Sequence, residues 1–326
     1  MPMKVLVLTG GFHPEMPREE IKSLGVKIEI KEGSIVVGEV SGWERLKKLG
    51  YSHLVLEYLG KFQAEEDLPF DPEEHIKGSF AARFKKIDFS DNFDKVKNRI
   101  LERLNPHIEE VDLDSPDTVL YFLLKDEQVY CGKLLHEFDA SEFRKREPEF
   151  RPFSRPVSLP PREARCWINL SGITEGERLL DPFCGPGGIV MEGSLMGYKA
   201  YGSDSEGEMV SGCRINLNYY NADDQIRKCD VQNLGEIWNR KFDAVVTDPP
   251  YGRSSRIRGG KLEDLYKKAL DEIHGVLSPQ GRLVIGAPER LNIEDLVENS
   301  RFKKRKKFKE RVHGDLSREV FVLEKT

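Results

Sequence analysis

Short apolar runs broken by polar residues open the chain. Residues 4–8, 26–30, 34–37 and 54–59 have the length and β-branched content of strands, and a helical stretch lies near 43–49. Acidic turn material follows over 65–74. Residues 78–86 then alternate like a strand with basic ends, and residues 93–104 place Val96, Ile100, Leu101 and Leu104 on one face of an amphipathic helix. Two further runs, 118–124 and 128–134, complete a second compact α/β unit. No internal repeat is evident.

Between 141 and 161 the periodicity stops. That stretch holds five prolines, which fix φ and remove amide donors, so it reads as the main linker. Beyond it comes a helix over 162–170, a strand at 178–180, a glycine-rich turn, a helix from 189 and a strand at 200–203. A helix over 209–217, a short strand near 226, a strand at 242–247 and a helix over 262–277 follow. A strand at 282–285 and two last strands near 303–312 and 319–323 finish the series. Such alternation predicts a mostly parallel, doubly wound sheet.

Of the 326 residues 38% are hydrophobic and 33% charged, a composition that builds solvated, well-cored domains. Lys and Arg number 51 against 56 Asp and Glu, a net charge of -5 that argues against a protein basic all over. The balance is uneven. Residues 1–150 carry 22 basic and 30 acidic side chains, residues 151–326 carry 29 and 26, and residues 301–311 alone hold eight Lys or Arg. The acidic total is thus compatible with a polyanionic partner. The five cysteines, Cys131, Cys166, Cys184, Cys213 and Cys229, are too scattered for a CxxC pair, so neither a disulfide framework nor a metal site is expected. The apolar run at 5–8 is far short of a signal-peptide core or a membrane span, and a cytoplasmic protein is expected.

In an open parallel sheet, ligands bind beyond the carboxyl ends of the strands, and four successive predicted strands end in a carboxylate. The first leads into Asp181-Pro182-Phe183-Cys184-Gly185-Pro186-Gly187-Gly188, whose glycines let the backbone pass close to a ligand. The second ends at Asp204, placed to accept hydrogen bonds from ribose hydroxyls, as in sites for NAD or S-adenosylmethionine. The third ends at Asp230, whose carboxylate can accept from an adenine amine. Either acid taken alone reads equally well as a helix N-cap. The fourth ends in Asp248-Pro249-Pro250-Tyr251. Two prolines fix a rigid extended bend, leaving the Asp248 carboxylate and the Pro249 carbonyl as outward acceptors beside the Tyr251 ring. That array suits a planar base bearing an exocyclic NH2.

Together these motifs resemble the class I S-adenosylmethionine-dependent amino-methyltransferases. The resemblance implies a Rossmann-like seven-stranded catalytic domain over 162–326. It also implies cofactor binding by Asp181, Pro182, Phe183, Cys184, Gly185, Gly187, Asp204, Asp230 and Asp248, with the target amine held by Asp248, Pro249, Pro250 and Tyr251. Phe153 or Pro160-Pro-Arg162 corresponds loosely to the extra motif that precedes the first helix. Ahead of the linker, Ser79-Phe-Ala-Ala-Arg83-Phe-Lys85 and Val111-Asp-Leu-Asp-Ser-Pro-Asp117 resemble a THUMP module, a tRNA-binding unit. The implied order is a ferredoxin-like α/β subdomain over 1–59, a THUMP domain over 60–145, a linker over 146–161 and the catalytic domain. That order is similar to the archaeal tRNA guanosine-10 N2-methyltransferases over nearly the whole chain, and it implies tRNA as substrate and a small zinc-binding activator protein as partner.

Arg83, Lys85, Lys86, Arg144, Lys145 and Arg146 are the candidates for phosphate contacts, together with the basic run at 301–311. Lysines in that run serve equally well to blunt a sheet edge. Two other readings stay open on sequence. One is a non-catalytic RNA-binding scaffold that retains the domain, and the other is a DNA adenine-N6 or cytosine-N4 methyltransferase, which the same Asp-Pro-Pro-Tyr turn would serve.

Overall fold

The computed structural model describes residues 2–10, 13–89, 93–155, 158–223, 225–252, 261–313 and 316–326. In chain order the first elements are β1 (Met3–Thr9), α1 (Met16–Ser23), β2 (Lys27–Glu32), β3 (Ile35–Val40) and β4 (Ser52–Gln63). Then come α2 (Pro72–His75), β5 (Phe80–Phe89), α3 (Phe93–Leu104), β6 (Thr118–Asp126) and β7 (Gln128–Glu137). The later part begins with α4 (Ala140–Arg144), α5 (Pro161–Leu170), β8 (Arg178–Asp181), α6 (Gly188–Leu195), β9 (Lys199–Asp204) and α7 (Gly207–Tyr219). It ends with β10 (Ile226–Lys228), α8 (Leu234–Ile237), β11 (Phe242–Thr247), α9 (Leu262–Val276), β12 (Leu277–Pro288), α10 (Ile293–Glu298), β13 (Phe302–His313) and β14 (Leu316–Lys325).

These elements form two units. One comprises Met1–Gly10, Gly25–Lys47 and Ser52–Phe138, and the other Gly11–Leu24, Lys48–Tyr51 and Asp139–Thr326. The first unit holds a seven-stranded sheet in the order β2-β3-β1-β4-β7-β6-β5. All its neighbours are antiparallel except β5 and β6. The sequence reading divided this region at residue 59, but β4 runs unbroken through that point. It passes Gly60, at φ 149°, with a register shift against β7 between Tyr58 and Gly60. The two expected subdomains therefore share one sheet. Helix α3 buries Val96, Ile100 and Leu104, as its periodicity predicts, against Phe80, Phe122 and Leu124. Leu101, expected on the same face, is only half-buried.

The second unit is built on the order β10-β9-β8-β11-β12-β14-β13. Strands β8 to β12 are parallel, and β14 runs antiparallel between β12 and β13. The strand order reverses between β8 and β11, where crossover connections leave in opposite directions and open a crevice at the carboxyl ends. Those two strands are the ones that end in Asp181 and Thr247.

Helix α1 was not anticipated, because Met16 and Ile21 are its only large apolar residues and it buries an acid as well. Glu20 is fully buried. Its carboxylate accepts from the Gly50 amide at 2.6 Å, the Asn169 amide group at 2.7 Å and the Tyr51 amide at 3.2 Å. These bonds join α1 and residues 48–51 to α5, so two stretches from the first fifth of the chain complete the second unit. The predicted linker is also more ordered than its composition implies. It contains a 3-10 turn over Pro148–Phe150, and Arg146 and Arg151 within it are buried. Pro156 and Val157 of that segment lie outside the described residues. Among the described residues no helix is long and apolar enough to cross a membrane.

Candidate active site

The glycine turn after β8 takes the shape its sequence demands. Gly185 and Gly187 have φ of 47° and 90°, left-handed conformations that a side chain disfavours. A Cβ on Gly187 would fall 2.5 Å from Cys213 Sγ, whereas beside Gly185 the space is open to 4 Å. Asp204, at the end of β9, accepts from the Gly185 amide at 3.0 Å and the Glu206 amide at 2.9 Å. The acid thus holds the turn open, and each oxygen keeps a lone pair for a hydroxyl donor. Burial raises the Asp204 pKa, against the pull of those amides. Asp230 accepts from the Gln232 amide at 3.1 Å and caps the short turn after β10. Phe153 packs its ring over Gly212 of α7, and its backbone exchanges bonds of 2.9 and 2.8 Å with Asn216. Asn216 also donates to the Pro186 carbonyl at 2.9 Å, so the segment before α5 is fastened beside the glycine turn.

Asp181 has an internal role. It is 2% exposed, and its Oδ1 accepts from the Thr247 hydroxyl at 2.7 Å and the Phe183 amide at 3.1 Å. Burial pushes its pKa up to about 7. The bond to Thr247 ties the end of β8 to the end of β11, so the glycine turn and Asp248-Pro-Pro-Tyr251 lie side by side. Cys184 is buried, and its contact with Cys213 followed by burial raises its thiol pKa, which leaves it inert as a nucleophile.

The Asp248 carboxylate is more engaged than the sequence reading has it. Its Oδ1 accepts from the Tyr251 hydroxyl at 2.5 Å and its Oδ2 lies 3.6 Å from Arg318 Nη1, while the side chain keeps 17% exposure. A carboxylate offers about four lone-pair sites, so an incoming amine can still be accepted. Burial raises the Asp248 pKa, and Arg318 and the Tyr251 hydroxyl pull it back. Gly286 on β12 makes room for this group. A Cβ there would lie 2.3 Å from Asp248 Oδ1, 2.7 Å from Trp167 Cη2 and 3.1 Å from the Tyr251 hydroxyl oxygen.

Arg318 itself escaped sequence reading, as did Glu163, Glu310 and Trp167 around it. The available signal was an arginine in register with Val320 and Val322 on one face of β14, a position that an apolar strand gives to a charge only when partners await it.

The phosphate candidates divide. Lys85 and Lys86 are exposed on β5, and Arg83 lies 3.5 Å from Glu137 beside a hollow of about 310 Å³ that Phe84, Lys85 and Tyr121 also line. Arg144 is exposed, and Lys145 pairs with Glu142 at 2.6 Å. Arg146 is not available to phosphate. It is 8% exposed, bonds the fully buried Glu192 at 2.6 and 3.3 Å and donates to the Glu142 carbonyl at 2.7 Å. The basic run is largely neutralised: Lys304 and Lys307 pair with Glu294, Arg305 with Glu324, Lys306 with Glu19 and Lys309 with Glu289.

Residues 148–319 match the family model of the RMKL-like methyltransferase domain, UPF0020. The chain is 36% identical over 344 residues, 99% of its length and 100% of the other's, to a protein of Methanothermobacter thermautotrophicus named tRNA (guanine(10)-N2)-dimethyltransferase. A Pyrococcus abyssi protein of the same name is 36% identical over 96% of this chain and 97% of its own. Among solved structures, TrmN from Thermus thermophilus aligns with a TM-score of 0.55 at 22% identity, covering 99% of this chain and 100% of that one, a likeness of fold.

Proposed function

The chain belongs to the family of archaeal tRNA (guanine(10)-N2)-dimethyltransferases, and on that premise we propose how its own residues carry out the reaction. The protein is an S-adenosylmethionine-dependent methyltransferase acting on the exocyclic N2 of guanosine in tRNA. We assign the site as position 10, with two methyls added in succession.

The observation that carries the reading is the Asp181–Thr247 bond at the switch point, because it sets the glycine turn and Asp248-Pro-Pro-Tyr251 against each other. The residues present fit the cofactor: open space beside Gly185, backbone bent by two left-handed glycines, and an acid with free lone pairs at Asp204. Bound S-adenosylmethionine supplies a methyl already activated by a sulfonium, so the protein's task is mainly alignment. Asp204 accepts from the ribose hydroxyls and Asp230 from the adenine amine, while Asp181, Pro182, Phe183 and Cys184 fix the turn. The Asp248 carboxylate and Pro249 carbonyl accept the two N–H groups of the guanine amine, with Pro250 and the Tyr251 ring against the base. Accepting both hydrogens draws the nitrogen lone pair out of conjugation as charge develops. Asp248 takes the proton released on transfer, and burial makes its carboxylate the stronger base. In the second round one N–H remains, and one acceptor suffices.

The region over 60–145 serves in this reading as the THUMP-type module that docks tRNA through Arg83, Lys85 and Lys86, with Arg144 and Lys145 at its end contributing as well. A cytoplasmic location and a small zinc-binding activator belong to the same proposal, and a full methylation rate from the isolated chain would remove the activator. Unmodified tRNA incubated with the protein and cofactor is expected to yield N2-methylguanosine and then N2,N2-dimethylguanosine by nucleoside mass spectrometry. Methylation of duplex DNA instead of tRNA would overturn this function, and Asp248→Ala with undiminished transfer would overturn the assignment of the site.

A further inference from the structure

Behind Asp248 stands a cluster that the reaction as described does not use. Arg318 on β14 is 4% exposed. Its Nη2 donates to Glu163 of α5 at 2.6 Å and its Nε to Glu310 of β13 at 2.8 Å, while Nη1 lies 3.6 Å from Asp248 Oδ2. The guanidinium carbon sits 4.7 Å from the centroid of the buried Trp167 ring. Three carboxylates therefore converge on one cation, stacked on an indole that fixes the plane of its fork.

The sheet explains how a residue so far along the chain reaches the motif. Arg318 pairs in register with Glu310 on one side and Pro288 on the other. Two residues before Pro288 is Gly286, next to the end of β11. With no side chain at Gly286, the guanidinium reaches across β12 to the Asp248 carboxylate, above the Trp167 ring. A larger residue there would occupy the space in which the two groups meet.

The geometry points to Arg318 as the positioning residue of the amine site: it orients the Asp248 carboxylate and keeps it ionised, with Glu163 and Glu310 anchoring the guanidinium. This rests on the function proposed above. Asp248 is the stronger acceptor, and able to take up the released proton, only while charged, yet its site is only partly exposed and already crowded with acids. Around it, among the described residues, stand Arg318 from β14, Glu310 from β13, Glu163 from α5, Tyr266 from α9, Asp181 from β8 and Tyr251 from its own loop. Arg318 is the cation of that set. An arginine beside a carboxylate favours the ionised form by roughly one to three pH units. The fork also explains why the cation is tied twice elsewhere: two charge-assisted bonds to Glu163 and Glu310 hold Nη1 at a set place.

Arg318→Gln alone would leave one buried and two half-buried carboxylates uncompensated and strain the fold of the unit, so the test uses Arg318→Gln combined with Glu310→Gln, and separately Glu163→Gln. Cofactor binding by calorimetry verifies that each variant is folded. Single-turnover methylation of tRNA is then followed across pH. The double variant is expected to move the acidic limb upward by roughly one to three pH units, with the rate below the limb falling about tenfold per unit. Glu163→Gln removes a negative neighbour and is expected to move the limb downward. Opposite shifts would not follow from a purely structural role. Both variants keeping the wild-type limb would overturn the proposal, whereas wild-type protein unable to methylate tRNA would overturn the function on which it rests.

Discussion

Gly286→Ala puts one methyl where Asp248, Trp167 and Tyr251 converge. The added carbon would fall 2.3 Å from Asp248 Oδ1 and 2.7 Å from Trp167 Cη2. Ordinary contact between such atoms needs a separation larger by about 1 Å. Trp167 cannot yield that distance, because it is fully buried in the core that α5 shares with Val284, Val320 and Val322. The carboxylate must therefore swing away, or β12 must shift. A misplacement of about 1 Å at a reacting centre costs on the order of 10²-fold in rate, and overpacking a well-filled site costs about 1–3 kcal/mol. For a unit of this size each kcal/mol lowers the melting temperature by roughly 2–4 °C. The expected result is a single-turnover methylation rate lower by about two orders of magnitude, cofactor affinity by calorimetry preserved, and a melting temperature lower by several degrees. A variant that methylates tRNA at close to the wild-type rate would refute the reasoning, since it would mean that the Asp248 carboxylate does not need the position the glycine gives it.

Other outcomes follow from groups away from the reacting atoms. Burial pushes the Glu20 pKa from 4.5 up to about 7, so the folded chain holds a proton there that the unfolded chain releases. Its contribution to stability is complete below pH 4.5, declines as pH rises, and is gone above about 7. Glu20→Gln should remove about 1.4 kcal/mol per pH unit from that slope in thermal melts, leaving the similar slope of Asp181. Arg146→Met strips Glu192 of one of its two arginines and is expected to cost about 3–5 kcal/mol in denaturant unfolding while tRNA affinity keeps its salt dependence. Lys85→Ala and Lys86→Ala are expected to lower the logarithmic salt slope of tRNA binding by about one each with stability unchanged. An unchanged slope would remove both from the docking face.

The four strand ends were legible in the sequence because each motif is local: the glycine turn, the lone acids and the Asp-Pro-Pro-Tyr bend carry their geometry within a few residues. Partners set by the sheet were not. Arg318 lies seventy residues from Asp248, and only the order β11-β12-β14 brings them together. The same limit hid Gly286, whose importance comes from neighbours supplied by β11 and α5. Pattern reading also missed α1, since a helix that buries Glu20 lacks the apolar stripe by which helices are found. It divided the N-terminal region after residue 59 because the apolar run 54–59 ends there and acidic turn material follows, whereas β4 continues to Gln63 through a register shift. Arg146 looked like its neighbours Arg144 and Lys145, and only Glu192, forty-six residues on, separates it from them.

The make-up of the catalytic unit from Gly11–Leu24, Lys48–Tyr51 and Asp139–Thr326 bears on how the protein is made. Residues 11–24 leave the ribosome long before α5, whose Asn169 completes the bonding of Glu20. At about 5–20 residues per second that interval is on the order of ten seconds. Throughout it, Met16 and Ile21 have no finished core to enter and Glu20 has no amide partner from α5. The first unit can close its sheet once Phe138 has emerged, although its chain is interrupted by two stretches that belong to the second unit. A fragment begun at the proline-rich segment would lack α1 altogether, so a shortened catalytic domain is expected to be insoluble or poorly folded while the full chain is not.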